Sequence, residues 1–323
     1  MVGLVGWREE AIRYLEGENE MTGRRPKGVL ELGWACLDSQ ARGRTEHRPV
    51  TIDYPDHVVR RFSFAAGGGL GWRVSALMTP RSQPAPWKIV VITGAPSWAE
   101  YWSPVMAALP ADREMIVVDR PGYAASQPGT CIPDIRVQAR ALAPLLTKAR
   151  GQKLLLVGQS YGAAIATLMA EAHPGVVDQI SLLSSYLGEP GPTAKWLVRV
   201  GSSLLNVIPR DLKHAVIEVA GQTPQMAYMH AALPRLEIPV HMIHGDQDDF
   251  APLDVAHRFS LRGDTRHPLR FERVGGANHF LNDGPVETLL GALESCIPPE
   301  RVRRRWTWPK VSLPAAAAAF QPA

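Results

Sequence analysis

Short apolar runs alternate with helix-like segments through the middle of the chain. Two strand-like runs at 61–64 and 72–77 flank a glycine-rich segment, a pattern that predicts a β-hairpin. Residues 133–150 predict a helix, with a proline near its first turn and a glycine directly after its end. The apolar run 153–157 then predicts a strand. This strand-helix-strand order implies a parallel sheet that is covered by helices on both faces.

The regular alternation stops between the strand-like residues 178–183 and the next apolar run, 238–243. Residues of about 187–235 predict short amphipathic helices instead. This segment also holds a cluster of sulfur-containing and aromatic side chains, which either line a pocket or pack in the ordinary way. The members of the cluster are Met226, Tyr228, Met229 and His230.

One serine follows a strand-like run and opens a helix-like run of small residues. Residues 158–162 read Gly-Gln-Ser-Tyr-Gly, the pattern G-x-S-x-G, directly after the apolar run 153–157. On a strand-to-helix turn of this kind the serine backbone is strained, and the two glycines let the strand and the helix pass closely. The pattern occurs by chance in chains with 28 glycines, but its position between strand and helix predicts a nucleophile, Ser160.

A serine hydroxyl is a weak nucleophile at neutral pH, so Ser160 needs a base and an acid that orients the base. The loop after the apolar run 238–243 offers three carboxylates, those of Asp246, Asp248 and Asp249. Any carboxylate at this end of the strand could reach an imidazole. The chemistry therefore leaves the choice among the three open.

His279 is the base that position along the chain favours among the ten histidines. It follows the strand-like residues 269–274 and a pair of glycines, and it precedes the last helix-like segment. The order serine, acid, histidine is typical of triads built on this turn. His241 and His244 look like a metal-binding pair, but residues three apart on a strand point to opposite faces. We therefore expect no metal site there.

Taken together, these motifs resemble the α/β-hydrolase fold superfamily, from about residue 60 to about residue 297. Two further segments carry the resemblance. Residues 88–96 resemble the third strand and the oxyanion loop, with Thr93 where family members usually have histidine. Residues 117–126 resemble the strand-four segment Asp-x-x-Gly-x-Gly-x-Ser, with Ala124 in place of the second glycine.

The resemblance implies a mostly parallel eight-stranded α/β-hydrolase sheet with helices on both faces and a short helical lid at about 187–235. It selects Asp248 as the acid, and it implies an oxyanion hole made by the backbone N–H groups of Tyr161 and Ala95. Tyr161 would begin a helix, whose first N–H groups lack internal partners and whose dipole favours negative charge.

Composition limits the partners and the compartment. A net charge of +4 with scattered Lys and Arg residues argues against nucleic acid as the main partner. Three widely separated cysteines predict free thiols in a reducing compartment. No apolar run reaches the length of a membrane span, and the first residues lack a signal pattern, so we expect a cytoplasmic protein.

The same patterns divide the chain into an N-terminal extension at 1–55, a hydrolase domain at 56–297 and a C-terminal tail at 298–323. The extension contains a helix-like stretch, Glu9–Glu18. It has three open roles: packing on the body, extending the lid, or forming a homo-oligomer. The tail ends in an alanine-rich segment of low complexity, for which we expect disorder in part.

The sequence therefore predicts a serine hydrolase that cleaves a carboxylic ester or related acyl bond of a small molecule through an acyl-enzyme, with no cofactor. Three other reactions on the same triad stay open: carbon–carbon bond hydrolysis, lactone hydrolysis and acyl transfer. A ligand-binding protein without catalysis also stays open, because one fold serves many functions. The residues that bind the substrate are not predicted.

Overall fold

The computed structural model describes residues 51–54, 57–261, 269–279, 281 and 286–297. Three features discussed above lie outside them: the helix-like stretch Glu9–Glu18, Cys36 and the tail 298–323.

Nine strands form one sheet in the described part of the chain. They are β1 Thr51–Tyr54, β2 His57–Ala65, β3 Arg73–Met78, β4 Trp87–Ile92, β5 Arg113–Val118, β6 Lys153–Gln159, β7 Gln179–Leu183, β8 Val240–Gly245 and β9 Leu269–Val274. Their spatial order is β1-β2-β3-β5-β4-β6-β7-β8-β9. The pairs β1/β2, β2/β3 and β3/β5 are antiparallel, and all the others are parallel. The mostly parallel sheet is confirmed, and the edge strand β1 brings the expected eight strands to nine.

Eight α-helices accompany the sheet in the described ranges. They are α1 Ser103–Ala107, α2 Ile135–Leu142, α3 Tyr161–Ala172, α4 Pro192–Ser203, α5 Arg210–Ala220, α6 Gln222–Ala232, α7 Leu253–Ser260 and α8 Val286–Ser295. Helices α4, α5 and α6 lie between β7 and β8 in the chain, where amphipathic helices are predicted. Among the described helices, none has the length and apolar content that crossing a bilayer requires.

The apolar core lies on both faces of the sheet. Alternate residues of one strand point to opposite faces, so Val90 and Ile92 of β4 pack with α2, α3, α6 and α7, whereas Ile89 and Val91 pack with α1 and α8. All six residues of β4 are buried. Such continuous burial is typical of a parallel strand covered by helices on both sides, as the sequence predicts.

The helix predicted over 133–150 is shorter in the structure. Helix α2 ends at Leu142, and residues Ala143–Leu146 continue as a 3-10 helix. The side chain of Asp134 caps the start of α2, because it accepts a hydrogen bond from the backbone N–H of Arg136. The α-helix ends at this point because Pro144 has no N–H to donate to the carbonyl of Arg140.

Helix α3 approaches the carboxyl ends of β4 and β6 so closely that two glycines, one in β6 and one in α3, have no room for a side chain. A Cβ on Gly158 would lie 2.6 Å from the Cα of Ala163. A Cβ on Gly162 would lie 2.6 Å from the carbonyl oxygen of Thr93. Both neighbours are backbone atoms, which cannot rotate away, so these two glycines fix the distance between the helix and the sheet.

We expect Gly162→Ala to lower the free energy of unfolding by about 1–3 kcal/mol, because the added methyl group must push α3 away from β4. Gly291→Ala is the matched control. Gly291 lies in α8 with nothing within 4 Å of its added Cβ, so alanine there is expected to stabilise the helix by up to about 1 kcal/mol. Urea unfolding of both variants measures the two changes, and equal stabilities would contradict the close approach of α3.

Candidate active site

Ser160 occupies a sharp turn between β6, which ends at Gln159, and α3, which begins at Tyr161. Its backbone has φ 50° and ψ −116°, a conformation that side-chain-bearing residues rarely adopt. The Ser160 N–H is bonded to the carbonyl of Leu183 in β7 at 2.8 Å. The strained turn therefore holds the half-buried serine at the carboxyl end of the sheet.

Two side chains from separate loops form a line of contacts that ends at this serine. His279 Nε2 lies 2.9 Å from Ser160 Oγ. His279 Nδ1 lies 2.8 Å from Asp248 Oδ2 and 3.0 Å from Oδ1. Because a carboxylate only accepts hydrogen bonds, Nδ1 carries the proton and Nε2 is free to accept the serine proton. This continuous contact from a carboxylate through an imidazole to a hydroxyl is the one that a serine nucleophile requires.

Asp248 is buried, and its carboxylate accepts hydrogen bonds on both oxygens. The backbone N–H groups of Phe250 and Ala251 donate to Oδ1 at 3.0 and 2.8 Å. His279 and His244 lie against Oδ2, His244 through its Nε2 at 3.1 Å. Burial raises the pKa of Asp248, but the charge and hydrogen bonds of His279 and His244 outweigh burial and hold this pKa well below its usual range. The carboxylate therefore stays ionised beside the imidazole.

The other two aspartates of this loop bind different groups. Asp246 accepts hydrogen bonds from Arg273 Nη2 and from the backbone N–H of Gly276, both at 2.8 Å. Asp249 accepts one from the hydroxyl of Thr193, at the start of α4, at 2.5 Å. The structure thus places Asp248 against His279, whereas Asp246 binds β9 and the loop after it, and Asp249 binds α4.

His241 and His244 lie on opposite faces of β8, as strand geometry predicts. His241 Nδ1 is 2.9 Å from the sulfur of Cys296, whereas His244 Nε2 is 2.6 Å from the carbonyl oxygen of Ala251. Burial raises the pKa of Cys296 to about 11, so this thiol stays protonated near neutral pH. Cys296 and Cys131 are both free thiols, as expected.

Two residues that support the site are not predicted from the sequence. His244 contacts the candidate acid, and its place at the end of β8, four residues before Asp248, is the signal that could have shown this. Phe250 stacks on the imidazole of His279, with ring centroids 4.9 Å apart and planes at 20°. Nothing in the sequence distinguishes this phenylalanine from one that packs in the core.

The loop after β4 lies against the serine. A Cβ on Gly94 would be 3.1 Å from the Cβ of Ser160, so a side chain there would push the loop and the serine apart by a few tenths of an ångström. Thr93, which replaces the usual histidine, bonds the hydroxyl of Ser97 and donates to the carbonyl of Val118 at 3.0 Å. The backbone of Ala95, the next residue after Gly94, and that of Tyr161, the first residue of α3, therefore flank Ser160.

The cluster of Met and aromatic residues in α6 packs in the ordinary way. Met226 and Met229 are buried in the core that covers α3. Tyr228 is exposed, and the guanidinium of Arg136 lies 4.4 Å from its ring centroid. His230 packs against Phe259 of α7, with ring centroids 5.1 Å apart. The structure thus places these side chains in three different surroundings.

Comparisons with known proteins agree with the fold. A family model for the alpha/beta hydrolase fold matches residues 88–231. A search of curated proteins found no match to the chain.

Among solved structures, a thermophilic esterase from Thermogutta terrifontis has a TM-score of 0.58 at 16% identity, covering 73% of this chain and 97% of its own. A haloalkane dehalogenase loop variant from Bradyrhizobium elkanii has a TM-score of 0.57 at 17% identity, covering 73% and 95%. The esterase RhEst1 from Rhodococcus sp. ECU1013 has a TM-score of 0.53 at 18% identity, covering 72% and 97%. At these identities the structures share the fold. By its sheet, its strand-to-helix turn and the match of the family model, the chain has the α/β-hydrolase fold.

Proposed function

We propose that this protein is a serine hydrolase that cleaves a carboxylic ester or related acyl bond of a small molecule through an acyl-enzyme. The observation that carries the proposal is the continuous contact from Asp248 to His279 to Ser160, at 2.8 and 2.9 Å, on a strained strand-to-helix turn. Of the open alternatives, a ligand-binding protein would have no use for this arrangement of nucleophile, base and acid. The esterases among the solved structures with this fold are consistent with it.

In the proposed acylation step, Ser160 Oγ attacks the acyl carbonyl while His279 Nε2 takes the hydroxyl proton. The imidazolium that forms is stabilised by the ionised Asp248, which holds Nδ1–H. His279 then gives the proton to the leaving group as the bond between that group and the carbonyl carbon breaks, and the carbonyl carbon remains bonded to Ser160 Oγ. A water molecule, deprotonated by His279 in the same way, hydrolyses this acyl-enzyme and restores the serine.

The negative charge on the carbonyl oxygen is proposed to be stabilised by the backbone N–H groups of Ala95 and Tyr161. Tyr161 is the first residue of α3, so its N–H has no partner within the helix, and the helix dipole favours an anion there. Removing one such donor typically lowers the rate by roughly 10²–10³.

Helices α4 to α6 are proposed to cap the acyl site within a catalytic domain at 56–297. The start of α4 lies against the loop that carries Asp248, because the Gly191 N–H donates to the Phe250 carbonyl at 2.8 Å. The backbone N–H of Thr193 likewise donates to the Asp249 carbonyl at 3.3 Å. These bonds bring the first turn of α4 next to the ring that stacks on His279.

Ser160→Ala is expected to lower kcat for p-nitrophenyl ester hydrolysis by about 10⁴–10⁶, because it removes the nucleophile and leaves only binding and the oxyanion hole. The assay uses p-nitrophenyl esters of several chain lengths beside lactones and diketones, so that the preferred bond is identified in the parent. Ser203→Ala, in α4, is the control and should keep parental turnover. Turnover by purified Ser160→Ala equal to that of the parent would refute the assignment.

Asp248→Asn is expected to lower kcat by about 10⁴, because an amide cannot stabilise the imidazolium and favours the wrong tautomer. The matched controls are Asp246→Asn and Asp249→Asn in the same loop, for which we expect at most about a tenfold change, since their contacts are structural. Steady-state kinetics of the three variants rank the carboxylates. A larger loss in either neighbour than in Asp248→Asn would move the acid.

The acid side of the pH profile of kcat/KM is expected to report the protonation of a single group. As the pH falls, log kcat/KM should fall with a limiting slope of one, because protonation of His279 removes the base while Asp248, with its lowered pKa, stays ionised. A limiting slope of two above pH 4 would show that the acid titrates in the same range. The measurement is kcat/KM for one neutral ester between about pH 4 and pH 9.

A further inference from the structure

Arg120 lies wholly buried between the loop after β4 and helix α5. Its Nη2 donates to the carbonyl of Gly94 at 2.8 Å and to Glu218 Oε2 at 2.7 Å. Its Nη1 donates to Glu218 Oε1 at 2.8 Å and to Gln138 Oε1 at 2.7 Å. Its Nε donates to the same Gly94 carbonyl at 3.3 Å. All five N–H bonds of the guanidinium are thereby used.

Glu218, from α5, keeps this guanidinium charged in the interior. Its carboxylate also accepts hydrogen bonds from the Tyr123 hydroxyl at 2.5 Å and from Gln138 Nε2 at 2.8 Å. Burial lowers the pKa of Arg120, but Glu218 outweighs burial and raises this pKa above its ordinary value. Removing one partner of such a pair leaves an unpaired buried charge, which is costly.

The position of Arg120 bears directly on the proposed oxyanion hole. The carbonyl of Gly94 and the N–H of Ala95 belong to one planar trans peptide, so they point in opposite directions. Two donors from Arg120 on the carbonyl therefore fix the direction of the N–H and strengthen it as a donor. The guanidinium also lies 4.8 Å from the ring centroid of Tyr161, the residue that supplies the second N–H.

We propose that Arg120 and Glu218 are positioning residues for the oxyanion hole: Glu218 holds the guanidinium, and the guanidinium orients the Gly94–Ala95 peptide toward the acyl oxygen. This inference rests on the proposed function. It makes α5, a helix of the proposed cap, part of the catalytic arrangement. Glu218 in α5 lies 98 residues along the chain from Arg120.

Two further side chains on the same face of α5 attach it to the loops beside Ser160. The buried carboxylate of Asp211 accepts hydrogen bonds from the Ala124 N–H at 3.0 Å and from Trp98 Nε1 at 3.1 Å. His214 Nδ1 lies 2.9 Å from the carbonyl of Gly122. Within the proposed cap, α5 is therefore anchored to the loops after β4 and β5, whereas only one residue of α4 is buried.

The test compares Glu218→Gln and Arg120→Lys with the parent enzyme. Fluorophosphonate titration counts active serines, so that misfolded protein is excluded from the rates. We expect kcat per titrated serine to fall about 10- to 100-fold with KM within about threefold, because orientation of one donor is lost without loss of the donor itself. Affinity for a trifluoromethyl ketone, which forms a tetrahedral oxyanion on the serine, should fall by the same factor.

His214→Leu is the matched control, because it loosens the same helix without contacting Gly94. It should lower the Tm while kcat per titrated serine stays within about twofold of the parent. If both main variants fail to fold, Tyr123→Phe removes a single bond to Glu218 and should still lower kcat per titrated serine about two- to fivefold.

The outcomes separate the inference from the proposed function. A parent enzyme that neither labels nor hydrolyses any ester would overturn both. An active parent whose variants keep kcat per titrated serine and ketone affinity, and lose only Tm, would overturn the positioning role alone. Equal losses in His214→Leu would do the same, since they would trace the effect to general loosening of α5.

Discussion

The backbone of Ser160, held at a positive φ between β6 and α3, is the constraint on which the rest of the site depends. The turn can form only if α3 passes close to the sheet, which requires glycine at positions 158 and 162. It is anchored to β7 through the bond from the Ser160 N–H to the Leu183 carbonyl. The strain is local, and the surrounding core of buried strands and helices keeps the chain in this conformation.

The parallel sheet brings the side chains of the candidate site together at one edge. Ser160, Asp248 and His279 follow β6, β8 and β9, and Gly94 follows β4. Because parallel strands share a carboxyl end, loops far apart in sequence meet there. The charges of this edge are compensated individually: Asp248 by two backbone N–H groups and two histidines, and Arg120 by Glu218 and its neighbours. Satisfied polar contacts of this kind hold a site rigid.

Local patterns predict much of this arrangement. The sheet, the strand-to-helix turn and the loop that carries His279 follow from short runs whose periodicity or glycine content is visible in the sequence. Local patterns do not choose among Asp246, Asp248 and Asp249, because all three follow the same strand and differ only in the partners that they reach. The resemblance to a known superfamily made this choice, whereas chemistry alone left it open.

Contacts between distant segments could not be predicted. Nothing in the sequence pairs Arg120 with Glu218, and the left-handed backbone of Ala124 is explained only by its bonds to Asp211 and Arg210 of α5. The helix predicted through residue 150 ends at Leu142, because Pro144 cannot continue its hydrogen bonds. The prediction was too long because it followed the periodicity and gave this proline too little weight. These differences arise because tertiary partners and single breaker residues override local propensity.

The identity of the nucleophile can be tested most directly by peptide mass spectrometry of the parent enzyme after reaction with a fluorophosphonate. Only a serine activated by a neighbouring base reacts rapidly with this reagent, so the position of the adduct reports which serine has such a base. The contacts among Ser160, His279 and Asp248 predict a single adduct on the peptide that contains Ser160. An adduct on another serine, or no adduct on folded protein, would contradict the assignment of Ser160 as the nucleophile.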